Sequence, residues 1–137
     1  MANTTPLDRF MAKVCIAEES GCWQWTGALK ANGYGSFCAG GRNSVTYAHR
    51  WSYEHHIGRI PDGFHIDHLC RNRACVNPGH LEPVTARTNL LRGEGLTARR
   101  AAQTHCGNGH EFTEDNVYVK PNGCRDCRQC RHARRPR

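Results

Sequence analysis

One central segment combines residues that can bind a metal with a residue that can activate water. Cys70, Cys75 and His80 are soft ligands, spaced closely enough to converge on one zinc ion. Histidine side chains in general titrate near neutral pH, so the imidazole of His68 is a candidate to accept a proton from water. Asn89 offers a hard carbonyl oxygen, a ligand that Mg²⁺ accepts together with waters and phosphate oxygens. These residue types predict metal-assisted hydrolysis of a phosphodiester.

A tetrahedral zinc site in this segment needs a fourth ligand from elsewhere in the fold. Cys22, which lies next to two tryptophans, is favoured over Cys15 and Cys38. The alternative is a set of buried thiols with a solvent-exposed histidine. Free cysteines that cluster with histidine in a cytosolic chain favour metal binding.

A second cluster of metal-binding residues lies near the C-terminus. Cys106 and His110 form one half of it, and Cys127 and Cys130 are favoured as the other half. A site that uses Cys124 and Cys127 satisfies the same spacing and remains open. So short a tail cannot bury a core of its own, so we expect zinc binding to supply its folding energy.

Further polar residues could complete a cleavage site. Asp67 is either a second ligand of the catalytic cation or a residue that supports a ligand, because adjacent strand residues face opposite sides. Arg50 and Arg42 are candidates to hold the scissile phosphate, with surface salt bridges as an equal alternative. The remaining histidines considered are predicted to be structural or solvent-exposed: His49, His55, His56 and His65. The tryptophans are predicted to lie in the core: Trp23, Trp25 and Trp51.

Composition limits the class of protein. The 137 residues suffice for one domain with a small appendage, and only 38% are hydrophobic. Nineteen Lys and Arg against twelve acidic residues give a charge of +7, which favours a nucleic-acid partner. The first ten residues lack a basic segment followed by an apolar run, so we expect a cytoplasmic protein. Among its nine cysteines, zinc binding is favoured over disulfides.

The elements that must position these residues follow from pattern and turn signals. Residues 93–104 are predicted to be a small-residue connector between a core at 1–92 and a tail at 105–137. In chain order, we expect an amphipathic helix at 6–18, short strands within 22–27, 33–37 and 42–49, a helix at 48–57, strands at 64–69 and 81–84, and a helix capped by Thr85 that runs to about Arg92.

The tail also carries arginine at every third position. Arg125, Arg128, Arg131 and Arg134 would line one side of a helical or turn-like segment and face phosphates. A solvated, frayed terminus is the alternative.

These motifs resemble the small HNH endonucleases common in phage genomes, of the ββα-metal (His-Me finger) superfamily, and the zinc-containing His-Cys box homing endonucleases. The resemblance covers roughly residues 7–93 and rests on Cys22-Trp-Gln-Trp-Thr-Gly, Gly33-Tyr-Gly, Ala48-His-Arg and the run from Ile60 to Leu81. It implies an α+β fold, a ββα-metal core with a small antiparallel sheet and two structural zinc sites. By position, it implies that His68 is the general base and that Asn89 binds the divalent metal, Mg²⁺ or another cation. It also implies that His80 is a zinc ligand with Cys22, Cys70 and Cys75.

The sequence therefore predicts a metal-dependent endonuclease acting on double-stranded DNA in the host cytoplasm, without membrane association. The alternative is a non-catalytic, zinc-dependent DNA-binding module, which would not require the pair of His68 and Asn89. Activity on RNA also stays open. A double-strand break at a palindrome would require a homodimer or two visits, and the sequence leaves that choice open.

Overall fold

The computed structural model describes residues 4–41 and 44–134. The chain divides into two compact units, Met1–Asn89 and Leu90–Arg137. Within the described residues, no helix is both long and apolar enough to cross a membrane. The helices are α1 (Pro6–Met11), α2 (Ala48–His56), α3 (Ala86–Arg92), α4 (Leu96–Ala102) and α5 (Arg128–Ala133). The strands are β1 (Val14–Ile16), β2 (Trp23–Trp25), β3 (Ser36–Cys38), β4 (Val45–Tyr47), β5 (Phe64–His68), β6 (Leu81–Thr85), β7 (Val117–Val119) and β8 (Arg125–Cys127).

The first helix is shorter than the periodicity predicts. A capping box between Thr5 and Asp8 starts α1, which ends at Met11 instead of reaching position 18. Val14 and Ile16 lie in β1, opposite the tryptophans of β2. β-Branched side chains favour a strand where a cross-strand aromatic partner is available, and this tertiary pairing overrides the helical period.

An aromatic core joins the first three strands to α2. Phe10, Trp25, Phe37, Ala48 and Val76 are buried and in contact, with Trp51 packed against them. The ring centroids of Phe10 lie 4.9 Å from Trp25 and 4.6 Å from Trp51. The predicted core role of Trp25 and Trp51 therefore fits this packing.

The strand, loop, strand and helix order predicted for the centre of the chain is confirmed. β5 pairs antiparallel with β6 from Phe64 opposite Thr85 to His68 opposite Leu81. The Thr85 hydroxyl accepts a hydrogen bond from the backbone N–H of Thr88 at 3.2 Å and so caps α3. A small apolar cluster of Ile60, Ile66 and Leu81 fixes the register of this hairpin. The α+β class with a ββα core is as predicted, and in the described residues the antiparallel pairing is divided among four two-stranded sheets.

The second unit contains α4, the β7–β8 hairpin and α5. Residues 93–104, predicted as a connector, include the two turns of α4. Alanine and arginine have high helix propensity, which explains a helix in a stretch whose large apolar side chain, Leu96, is exposed. The arginines of the tail are divided between β8 and α5, so they do not form a stripe along one helix.

Candidate metal and cleavage site

The first cluster brings together Cys22, Cys70, Cys75 and His80. Their ligand atoms all lie within 4.8 Å of one another. The Nδ1 atom of His80 lies 3.7 Å from the sulfur of Cys22 and 3.6 Å from that of Cys75. Tetrahedral zinc with Zn–S of about 2.3 Å and Zn–N of about 2.0 Å requires S···N separations of about 3.5 Å. The four side chains therefore fit a zinc ion, and Cys22 lies in the cluster while Cys15 and Cys38 are exposed elsewhere.

Strand β2 brings Cys22 to the loop that carries the other ligands. The backbone N–H of Trp25 donates to the carbonyl of Ala74, and the N–H of Val76 donates to that of Trp23, both at 2.8 Å. These bonds attach the loop to β2, so a cysteine that is 48 positions away in sequence becomes a neighbour of Cys70. The backbone N–H of Asn77 also donates a hydrogen bond to the sulfur of Cys75 at 3.5 Å.

The cysteines of this cluster differ in acidity. Burial raises the pKa of the Cys75 thiol to about 12. A hydrogen bond with Ser20 is the main reason that the pKa of Cys22 is lowered to about 7. A metal at this site must therefore displace a proton from Cys75, because zinc binds the thiolate.

The second cluster consists of Cys106, His110, Cys127 and Cys130, again within 4.8 Å of one another. His110 Nδ1 lies 3.5 Å from the sulfur of Cys106, 3.6 Å from that of Cys127 and 3.3 Å from that of Cys130. Cys124 is exposed and lies outside the group. Of the two ligand sets that the spacing permits, the geometry brings together the one with Cys127 and Cys130.

Buried Asn116 holds the second cluster in place. Its Nδ2 atom donates to the carbonyl of Glu111 at 2.6 Å, and its Oδ1 atom accepts from the backbone N–H of Gln129 at 3.1 Å. The Cys127 thiol lies 3.5 Å from the same oxygen. One side chain therefore connects both halves of the site. Residues that hydrogen-bond to metal ligands commonly fix the orientation of those ligands in this way.

The tail arginines have different surroundings. Arg125 donates from Nη2 to the carbonyls of Arg100, Ala101 and Gln103, where α4 ends, the last at 3.0 Å. Helix-end carbonyls lack intrahelical partners, so this guanidinium is a structural cap. Arg128 donates from Nε to the carbonyl of Val117 at 3.2 Å. Arg131 and Arg134 are exposed on α5 and at its end, whereas Arg135 and Arg137 lie outside the described residues.

His68 is the last residue of β5 and is only 5% exposed. Its Nε2 atom lies 3.0 Å from the carbonyl oxygen of Cys75. A carbonyl can only accept a hydrogen bond, so the proton of the neutral ring is on Nε2 and the lone pair is on Nδ1. Burial also lowers the pKa of His68, which keeps the ring neutral at neutral pH. This is the form that a general base needs.

Asp67 precedes His68 and is 6% exposed. Arg71 donates from Nη1 to its Oδ1 atom at 3.0 Å. Arg71 has φ of 57°, which is uncommon for a residue with a side chain. The loop between β5 and β6 thus holds a guanidinium against a buried carboxylate beside His68, and such backbone strain is typical of functional sites.

The other predicted site residues occupy separate elements. Asn89 is half-buried on α3, and Arg50 is half-buried in the first turn of α2. Arg42 lies outside the described residues. His65 is exposed on β5, and His55 stacks on Trp51 with ring centroids 4.7 Å apart, so these two positions fit structural or solvent roles.

Sequence reasoning missed the side chains that surround His68. The ring of His49 lies 4.8 Å from that of His68, and the ring of Tyr34 lies 5.7 Å from it. A Cβ on Gly35 would lie 2.6 Å from Cδ1 of Trp25, so glycine lets this turn pack on the indole while Tyr34 reaches the histidines. The Gly33-Tyr-Gly and Ala48-His-Arg motifs were the available signal for this arrangement.

A β-hairpin that leads into a helix, with a histidine at the end of its first strand and a Cys/His cluster in its loop, defines a ββα-metal nuclease core. Residues 46–91 match the family model described as HNH endonuclease. This central segment is therefore similar to HNH endonucleases, in line with the resemblance.

Three phage proteins are similar to parts of the chain. The uncharacterized gene 5.3 protein of Enterobacteria phage T3 is 48% identical over 44 residues, which are 32% of this chain and 44% of that protein. Protein 2.8 of Escherichia phage T7 is 37% identical over 70 residues, 51% of this chain and 47% of that protein. Protein 7.7 of the same phage is 35% identical over 68 residues, 50% of this chain and 51% of that protein. The chain spans about half the length of these curated relatives, and no solved structure matches it.

Proposed function

We propose that this protein is a metal-dependent endonuclease that hydrolyses phosphodiester bonds of double-stranded DNA, with His68 as the general base. The supporting observation is the 3.0 Å bond from His68 Nε2 to the Cys75 carbonyl. It leaves Nδ1 free to take a proton from the attacking water. Because Cys75 belongs to the Cys/His cluster, the loop that would bind zinc also orients the base.

The proposed catalytic cation would be held by Asn89, with Asp67 as a second oxygen ligand. A carboxylate and an amide carbonyl are the hard ligands that suit Mg²⁺ or a similar ion. The Asp67 carboxylate is buried and already faces a cation, the guanidinium of Arg71. A bound divalent cation would supply charge stabilisation for the phosphate and its leaving oxygen.

The two Cys/His clusters are proposed to hold structural zinc ions. Their ligands are Cys22, Cys70, Cys75 and His80 in the core, and Cys106, His110, Cys127 and Cys130 in the tail. Four protein ligands close each site, so neither zinc would keep the open position that a catalytic zinc needs. Their proposed role is therefore to stabilise a chain that is poor in apolar residues.

DNA is the proposed substrate because the side chains near His68 and His49 are basic and aromatic. Arg73 lies over the ring of Tyr34 at 5.7 Å, and Lys30 lies over the ring of Tyr47 at 4.1 Å. Both cationic side chains are exposed, so they can meet phosphates without desolvation of a buried charge. Arg50 is proposed to contact the scissile phosphate, and Arg42 keeps this proposed role from the sequence alone.

Plasmid relaxation by zinc-loaded protein with Mg²⁺ tests the proposal. We expect His68→Ala to lower the cleavage rate by roughly 100- to 10,000-fold, the usual contribution of a general base. His65→Ala is the matched control, because His65 is exposed on the same strand and should leave the rate unchanged.

Zinc content and circular dichroism must first show that both variants are folded. Cleavage by wild type and by His65→Ala, with loss in His68→Ala, would support the nuclease. If wild type shifts the plasmid on a gel but leaves it supercoiled with every divalent metal, the nuclease proposal is wrong and the DNA-binding module replaces it.

A further inference from the structure

The imidazole of His49 is enclosed beside the proposed base. His49 is 6% exposed, and its Nδ1 atom is buried without a hydrogen-bond partner among the described residues. Its ring lies 4.8 Å from His68, 5.2 Å from Tyr34 and 5.5 Å from Tyr47. Buried polar atoms in native proteins are nearly always paired, so an unpaired one calls for a functional explanation.

The unpaired atom indicates which nitrogen carries the proton. A buried N–H without an acceptor is rarer than an acceptor without a donor, so the neutral ring of His49 has its proton on Nε2. Since Nδ1 is enclosed, Nε2 is the nitrogen left to meet a ligand. Burial, followed by the charges of His68 and Arg50, lowers the pKa of His49 to about 3, so the ring stays a neutral donor.

A purely structural role does not account for this arrangement. A phenyl ring would fill the same space between Tyr34 and Tyr47 without burying an unpaired nitrogen. The ring belongs to a buried residue in the first turn of α2, directly before Arg50, and its neighbours Tyr34, Tyr47 and His68 enclose it. The position retains an N–H donor next to the group that would activate water.

We propose that His49 is a substrate-contacting residue whose Nε2–H donates a hydrogen bond to a non-bridging oxygen of the DNA phosphate at the cleavage site. This inference rests on the proposed nuclease function. A neutral donor held in a dry site needs no reorganisation as charge develops on the phosphate, which is the condition for transition-state stabilisation. It complements His68, which accepts a proton while His49 donates a hydrogen bond.

The test compares three substitutions of His49 in the full-length, zinc-loaded protein. Glutamine can place its amide N–H near the position of Nε2, whereas asparagine can place one only near Nδ1, and phenylalanine keeps the ring without nitrogen. Plasmid cleavage should fall roughly 100-fold in His49→Phe and His49→Asn, as for loss of one oxyanion donor, and stay within about 10-fold of wild type in His49→Gln. Thermal unfolding must show all three folded.

Three outcomes would overturn the inference while the nuclease stands. They are full activity of His49→Phe, rescue by asparagine instead of glutamine, and equal loss in all three variants at unchanged stability. The last would mean that a hydrogen-bond donor near the position of Nε2 does not account for the role of His49.

A second readout applies if wild type does not cleave. Protein with ¹⁵N-labelled histidine is titrated with a short DNA duplex in the absence of magnesium, and nitrogen shifts are followed by NMR. A duplex-dependent change at His49 Nε2, absent at His65, would support phosphate contact even though the nuclease proposal had failed. An unchanged His49 signal in the DNA complex would overturn the inference.

Discussion

At the scale of single residues, the hydrogen bond of His68 gives the clearest link between structure and chemistry. Neutral histidine has two tautomers, and a nearby carbonyl selects one of them. Here the carbonyl belongs to Cys75, so the loop that would bind zinc also determines which nitrogen of His68, the proposed base, is free. A substitution that moves this loop should therefore impair cleavage even where it leaves His68 in place.

His49 leads to a prediction about pH and stability. Its pKa is about 3 in the folded chain and near 6.5 when unfolded, so below pH 6.5 the unfolded state binds the extra proton. The contribution of neutral His49 to the free energy of unfolding is therefore fully present above pH 6.5. It decreases as pH falls toward 3, and the loss at pH 5 is about 2 kcal/mol. Urea unfolding of wild type and His49→Phe at pH 7 and pH 5 measures this loss.

His49→Phe lacks the titrating group but keeps the zinc ligands, whose own protonation affects both proteins equally. We expect the variant to lose less stability than wild type between the two pH values. Parallel losses in the two proteins would show that His49 is not the group responsible.

At the scale of elements, the loop between β5 and β6 is stabilised from two directions. Two backbone hydrogen bonds attach it to β2. A metal ion bound by Cys22, Cys70, Cys75 and His80 would link three residues of the loop to the cysteine that precedes β2. Structural zinc contributes on the order of 10 kcal/mol of folding energy in small domains. This loop should therefore be the part of the core most sensitive to chelation.

Loss of one zinc ligand provides the prediction at this scale. Cys75→Ser should reduce bound zinc from two ions per chain to one, lower the melting temperature and abolish cleavage, because the Cys75 carbonyl would no longer be fixed against His68. Cys15→Ser is the matched control, since Cys15 is exposed on β1 outside both clusters. Metal analysis and calorimetry measure the effects, and retention of two zincs in Cys75→Ser would contradict the ligand assignment.

The tail shows how an element changes the meaning of a sequence pattern. The regular spacing of arginines predicted one phosphate-facing stripe, but Arg125 caps α4 and Arg128 bonds to the carbonyl of Val117. Arg131 and Arg134 remain exposed. The arginines that could contact DNA are therefore fewer than the spacing suggests.

At the scale of the whole molecule, the charge of +7 should make DNA binding dependent on salt. Each phosphate contact contributes a slope of about 0.9 to the dependence of log K on log salt. We expect the double variant Arg131→Gln, Arg134→Gln to reduce the slope by about 2 while the second zinc stays bound. Fluorescence anisotropy with a DNA duplex at several salt concentrations measures the slope.

Glu94→Gln and Glu114→Gln give the matched control, since they change exposed charges of opposite sign. An unchanged slope in the arginine variant, with normal zinc content, would show that these two arginines do not contact phosphate.

The sequence by itself determined the parts of this protein that depend on local spacing. Close Cys and His pairs identified both metal clusters, and the strand, loop, strand and helix order followed from turn and capping residues near Thr85. Type and spacing also singled out His68 and Asn89. The residues within each Cys and His pair are close in sequence, so ligand spacing indicates them, whereas the contact of Cys22 with the other three ligands depends on the fold.

Only the tertiary structure decided the contacts between distant segments. Pairing with β2 ended α1 at Met11, and packing on Trp25 brought Tyr34 to His49 and His68. His49 was interpreted as structural from sequence, because no local pattern shows that a histidine of α2 lies beside the last residue of β5. Burial and the pairing of individual nitrogen atoms arise from the packing of whole elements, and spacing along the chain does not encode them directly.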